Sequence, residues 1–201
     1  MVGPGARRPQ KHDKDRDLAS RSVLFVQGGG KGTHDSWDNK LVASLRKALG
    51  RRYTVRYPRM PDEANPDAGS WKTAIDRELR QLGDGAILVG HSLGAAFLID
   101  YLTDGAWPAR PVGVFLIATP FIGDGGWPSD DLRPTAAAAA SLSDGAPLYL
   151  YQGRDDDTVP SSHIDLLARA FPRATIRVLD GRNHQLNDDL SEIARDIRLL
   201  E

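Results

Sequence analysis

Six short apolar runs recur along the chain: SVLFV (Ser22–Val26), TVRY (Thr54–Tyr57), AILV (Ala86–Val89), VGVFLIA (Val112–Ala118), PLYLYQ (Pro147–Gln152) and TIRVL (Thr175–Leu179). Most lack the apolar/polar alternation of a half-exposed strand, which is the pattern of parallel strands covered on both faces. Between them the period lengthens. Leu41, Leu45 and Leu49 repeat at four, as do Trp71, Ile75 and Leu79, each placing one apolar stripe on an otherwise charged helix. Ile164, Leu167, Ala168 and Phe171 follow the fifth run in the same way, and Leu190, Ile193, Ala194 and Ile197 follow the sixth. The stretch from Ser92 to Leu102 differs, because Ala95, Ala96, Phe97, Leu98 and Ile99 leave little polar face. That helix is expected against the middle of the sheet. Strand and helix in alternation predict a doubly wound α/β domain, with a mostly parallel six-stranded sheet in order 2-1-3-4-5-6, helices on both faces and no large cap domain.

The connection from Thr119 to Ala146 carries FIGDGGWPSDDLRP and then TAAAAASL. Alanine is the best helix former, so the second part is expected to be helical. The Gly-Gly-Trp-Pro part is expected to be an ordered surface loop or a small lid. Residues 1–21 mix Arg and Lys with Asp and have almost nothing to bury, which predicts a disordered charged tail ahead of a single domain over 22–201.

Composition narrows the chemistry. With 201 residues, 40% hydrophobic and 26% charged, the chain fits one buried core. A net charge of -1 with no basic patch argues against a nucleic-acid partner. The absence of cysteine removes disulfides, thiolate metal sites and cysteine nucleophiles. No apolar run approaches the roughly 18 residues of a membrane span, and the N-terminus has no apolar secretory core. A cytoplasmic protein without a membrane partner is expected; the pattern leaves the oligomeric state open.

One junction stands out. Gly90-His91-Ser92-Leu93-Gly94 lies where an apolar strand gives way to the buried helix, and it fits G-x-S-x-G, the sharp strand-to-helix turn that lifts a serine hydroxyl above a sheet. The helix starting at that serine aims its positive end at the site and frees the Leu93 amide for a developing oxyanion. A serine hydroxyl needs a base, and the base needs an orienting carboxylate. Both arrive in the chain order that such turns require. GRDDDTVP follows the fifth strand and GRNHQL the sixth, so Asp155, Asp156 and Asp157 compete for the carboxylate role at the edge of the sheet where ligands bind. Of five histidines, His12 lies in the tail, His34 precedes the serine and His91 is inside the turn. His163 falls in the first turn of a helix, where a surface or capping role is expected. His184 sits in a loop after the last strand, from which an imidazole reaches Ser92. With strands 1 and 3 adjacent, the loop VQGGGKGTHDSW brings Gly29 opposite Ser92 as a second oxyanion donor.

From about Ser22 to its end the chain resembles the α/β-hydrolase superfamily. Its compact organisation is similar to that of the retinoblastoma-binding-protein-9-like serine hydrolases, on the strength of GTHDSW, MPDEANPDAGSW, GHSLGA, DDDTVP and NHQL. The resemblance implies Ser92, Asp156 and His184 as a catalytic triad, since the shared D-x-x-V-P pattern sets Val159 and Pro160 just before a helix; Asp157 is next in line and Asp155 third. It also implies backbone donors from Leu93 and the glycine loop, a small ester, thioester or amide as the acyl substrate, an acyl-enzyme intermediate, and no metal or organic cofactor. Many relatives begin the glycine loop with His-Gly, where this chain has Gln27-Gly28, so the identity of the donating glycine stays open. His34, Phe121, Ile122 and Trp127 are candidate walls of a substrate pocket. The alternatives are a non-catalytic binding module on a hydrolase fold, and a cofactor-free lyase or perhydrolase using the same residues.

Overall fold

Alternate residues of each central strand enter different cores, and this divides the molecule. In β1 (Arg21–Val26), β3 (Ile87–His91) and β4 (Gly113–Ile117), the side chains of Val23, Phe25, Ile87, Val89, Phe115 and Ile117 join one apolar cluster. That cluster is closed by Leu41, Val42 and Leu45 of α1 (Asn39–Leu49) and by Ile193, Ala194 and Ile197 of α6 (Ser191–Arg198). Leu24, Val26, Leu88, Val114 and Leu116 point the other way. There they meet α2 (Ala68–Leu82), α3 (Leu93–Thr103), α4 (Thr135–Leu142) and α5 (Ser162–Ala170). The lack of alternation in the sequence is the consequence of this double cover.

The computed structural model describes residues 20–105, 107–142 and 146–200. The expected tail over 1–21 therefore lies outside the described residues except for its last two, and Arg21 already pairs with Tyr53 as the first residue of β1. With β2 (Tyr53–Arg56), β5 (Leu148–Gly153) and β6 (Thr175–Leu179), the sheet has six strands in the order β2-β1-β3-β4-β5-β6, and every pairing is parallel. The described residues insert no cap domain among these elements. None of their helices is long and apolar enough to cross a membrane.

Two boundaries bear on the site. β3 runs on through Gly90 and His91, which register with Leu116 and Ile117, so the strand carries its last residue right up to Ser92. In front of α1, the GTHDSW segment winds into a π-helical turn, Thr33–Asp38, that turns the Asp38 side chain into the interior. α3 is buried from Gly94 to Leu102, as its composition predicts. Its single buried charge, Asp100, is held by Lys72 Nζ at 2.9 Å and Arg133 Nε at 3.3 Å.

The Gly-Gly-Trp-Pro stretch is an ordered loop. Ile122 bridges to Trp127, and the Trp127 N–H donates to the Phe121 carbonyl at 2.8 Å. The expectation of a surface or capping role for His163 fails, because the residue is buried, its Nδ1 accepts the Phe121 N–H at 2.9 Å and its ring meets Trp127 edge-on. Burial lowers the pKa of this histidine and the charge of Asp156 only partly offsets it, which keeps the ring neutral and able to accept.

Candidate active site

Ser92 sits between the end of β3 and the start of α3 with φ 52 and ψ -125, a conformation that non-glycine residues rarely adopt. Its surroundings leave no alternative. The Ser92 N–H is fixed to the Ile117 carbonyl at 2.8 Å, its carbonyl accepts the Ala95 N–H at 3.0 Å, and both glycines of the motif are crowded. A Cβ on Gly90 would stand 2.8 Å from Ala95 Cα, and one on Gly94 would stand 1.9 Å from the Gln27 carbonyl oxygen. These glycines are therefore set by close approach of helix to strand.

A cleft of about 460 Å³ opens over this corner, lined by Ser92, Leu93, His184, the glycine loop and Trp127 among others. His184 projects into it from the loop after β6. Its Nδ1 lies 2.9 and 3.1 Å from the two carboxylate oxygens of Asp156, at the end of β5. Asp156 is buried, whereas Asp155 and Asp157 are exposed. The Asp156 carboxylate also accepts the Val159 and Thr158 amides at 2.8 and 2.9 Å and the Gln152 side-chain amide at 2.8 Å. Burial opposes its ionisation, but the hydrogen bond and charge of His184 and the two backbone amides outweigh that and hold the carboxyl below its usual range.

The His184 loop is braced by an uncommon turn. Leu186, Asn187 and Asp188 follow one another with φ of 49, 56 and 58. Asn183 Oδ1 accepts the Gln185 and Asn187 amides, and Arg182 donates to the Leu186 carbonyl and pairs with Asp189. Leu186, fully buried, plugs the turn into the core.

The glycine loop is ordered by a residue that carries no motif of its own. Glu63, from the Met60 to Trp71 segment, accepts the Gly32 amide at 2.8 Å, the His34 amide at 2.9 Å and the Gln27 side-chain amide at 2.6 Å. Its own carbonyl accepts the Gly30 amide at 2.5 Å. Gly28 is engaged as well, donating to Asp38 at 2.7 Å. Among the described residues the Gly29 and Leu93 amides have no such partner, and the two residues touch, since a Cβ on Gly29 would meet Leu93 Cδ2 at 2.8 Å. Gln27 thus serves as a strut between Glu63 and the Met60 amide.

Burial raises the pKa of Glu63, but the His34 amide, the Gln27 side chain, the Gly32 amide and the Arg59 charge together bring it below its usual value. A carboxyl depressed on folding contributes stability that is present above its unfolded pKa and lost as pH falls through the folded one. Glu63→Gln places an NH₂ against donors, so it is expected to cost about 1–2 kcal/mol at pH 6. That difference from wild type should shrink below about pH 4. Urea unfolding of both proteins at pH 6 and pH 3 measures it, and a difference that grows in acid would contradict this role.

Of the four proposed pocket walls, Trp127 lines the cleft. Phe121 and Ile122 are buried in the core beneath it. His34 stacks on Tyr57 at 4.2 Å, with its Nδ1 on Asp35 at 2.8 Å, and is not part of the lining. The lining includes Trp37, which is 52% exposed, and Thr158, neither of which the sequence marked out.

Comparison with known proteins agrees with this architecture. Residues 23–199 match the Alpha/beta hydrolase family. The ydeN gene product of B. subtilis superposes with a TM-score of 0.71 at 17% identity, over 90% of this chain and 98% of that one. The esterase domain of a Rhodothermus marinus protein gives 0.66 at 20% identity, over 91% of this chain and 86% of that one. The monoacylglycerol lipase of Paleococcus ferrophilus gives 0.62 at 18% identity, over 89% and 93%. No curated protein matches the sequence.

Proposed function

The chain belongs to the Alpha/beta hydrolase family, and from that premise we propose that it is a cytoplasmic serine hydrolase of carboxylesterase type, cleaving a small ester, thioester or amide through an acyl-enzyme. The observation that carries this reading is one cleft holding a serine at positive φ and an imidazole whose Nδ1 is committed to a buried carboxylate. With Nδ1–H donated to Asp156, the neutral ring keeps its lone pair on Nε2, the nitrogen that must take a proton. His184 removes the Ser92 proton as Oγ bonds to the substrate carbonyl carbon. The oxygen that becomes negative is received by the Gly29 and Leu93 amides, neither of which is hydrogen-bonded elsewhere among the described residues. His184 then gives the proton to the leaving alcohol, thiol or amine as the acyl bond breaks. Water, deprotonated by the same ring, attacks the acyl-serine and releases the acid. The cleft, at about 460 Å³, suits a small-molecule substrate. Within the family, the Met60 to Trp71 segment that braces the glycine loop and the lack of a cap support a likeness to the retinoblastoma-binding-protein-9-like enzymes.

A fluorophosphonate probe tests the reading. The folded wild-type protein should gain one adduct by intact mass, and Ser92→Ala none. Folded wild-type protein that takes up no probe, or Ser92→Ala that labels equally, would overturn it and leave a hydrolase fold serving as a binding module.

A further inference from the structure

A second histidine–aspartate pair lies directly beneath the first, and the proposed mechanism does not use it. His91, the residue before Ser92, is 1% exposed, and Asp38 is fully buried. His91 Nδ1 stands 3.0 Å from Asp38 Oδ2 and 2.9 Å from Oδ1. On the other side of the ring, Nε2 stands 3.1 Å from the backbone carbonyl oxygen of His184. The two imidazoles are neighbours, with centroids 4.8 Å apart and planes inclined by 50°. Asp38 Oδ2 also accepts the Gly28 amide at 2.7 Å.

A carboxylate and a carbonyl are both acceptors, and a neutral imidazole has only one N–H to offer. The carbonyl can never donate, so Nε2 must carry a hydrogen. The second proton is shared between Nδ1 and Asp38. Burial disfavours a charged His91, but the Asp38 charge, its hydrogen bond and the His184 carbonyl prevail and raise its pKa. The pair also spans the whole site. The ring is covalently next to Ser92, its far nitrogen grips the backbone of His184, and its aspartate grips Gly28, the residue before the amide assigned to the oxyanion.

We propose that the buried Asp38–His91 pair is a positioning device that sets the distance between Ser92, the His184 backbone and the Gly29 amide, through an obligatory His91 Nε2–H bond to the His184 carbonyl. Its effect on rate rests on the serine-hydrolase reading; the bond itself does not. His91 borders the floor of the cleft but is 1% exposed, and Asp38 is fully buried, so the pair acts through the groups it holds. Asp38→Asn distinguishes position from charge. Its Oδ1 still accepts the Gly28 amide while its Nδ2 donates to Nδ1, which keeps Nε2–H pointed at His184 in an uncharged pair. Asp38→Leu offers neither group.

Two measurements decide. The rate constant for fluorophosphonate labelling, with thermal unfolding as a check of fold, should fall about 10²-fold in His91→Phe and in Asp38→Leu, the scale of a misplacement near 1 Å. Asp38→Asn should recover most of that loss. Wild-type labelling by folded His91→Phe, or equal loss in Asp38→Asn and Asp38→Leu, would overturn the proposal. If the apolar variants do not fold, ¹⁵N-resolved histidine spectra of the wild-type protein carry the test, since His91 Nε2 must bear a slowly exchanging proton. An unprotonated His91 Nε2 would refute the device even in a fully active enzyme, whereas an unlabelled wild type with that proton in place would refute only the hydrolase reading.

Discussion

His184→Ala is expected to lower kcat toward a short-chain ester by about 10⁴-fold or more, with KM little changed, because in the proposed mechanism the base acts only as the Ser92 proton departs. Replacing the ring leaves the serine, the amides and the cleft in place, so binding survives while the step that makes a nucleophile does not. The variant should keep its fold. His184 is one residue of a loop held by Asn183, Arg182 and the buried Leu186, and those contacts do not involve its ring. Steady-state hydrolysis of a p-nitrophenyl ester, paired with circular dichroism, gives the comparison. A folded variant retaining a tenth of the wild-type kcat would remove His184 from the mechanism.

The sheet was legible because burial on two faces leaves a mark that local preferences cannot blur. Runs such as SVLFV and VGVFLIA fill both cores at once, as interior parallel strands require. The serine corner was legible for a similar reason, since G-x-S-x-G encodes two close approaches and one strained residue within five positions. Errors gathered where a side chain's surroundings come from remote segments. His163 sits at a helix start, a place that favours exposure, yet the loop carrying Phe121 folds over it and supplies the N–H that its ring accepts.

The bracing of the site could not be read for the same physical cause. Glu63 lies in a segment of polar and proline residues with no periodicity, and its partners Gly32, His34 and Gln27 are about thirty residues upstream. Asp38 is one charge among several before an amphipathic helix, and only the π-helical turn brings it under the glycine loop. The left-handed run at Leu186 to Asp188 contains no glycine, and only the tolerance of Asn187 and Asp188 for that region hints at it in the sequence. Residues that meet substrate carry recognisable chemistry. Residues that hold them in place carry only a location, and location is what the fold adds.

Gly94→Ala is expected to destabilise the protein by more than about 4 kcal/mol, against the sign that helix propensity alone assigns. Gly94 lies in the first turn of α3, and its φ is not among those that favour glycine. In an open helix, alanine there would gain about 1 kcal/mol. The added methyl would instead stand 1.9 Å from the Gln27 carbonyl oxygen and 2.9 Å from that of Val26, both rigid backbone of the central strand and its exit. Relief requires α3 to lift from β1. That movement would also draw the Leu93 amide away from Gly29, so whatever folded fraction remains should label with fluorophosphonate slowly. Urea unfolding sets the sign. A Gly94→Ala protein as stable as wild type would mean that α3 does not approach β1 this closely, and the geometry assigned to the oxyanion amides would fall with it.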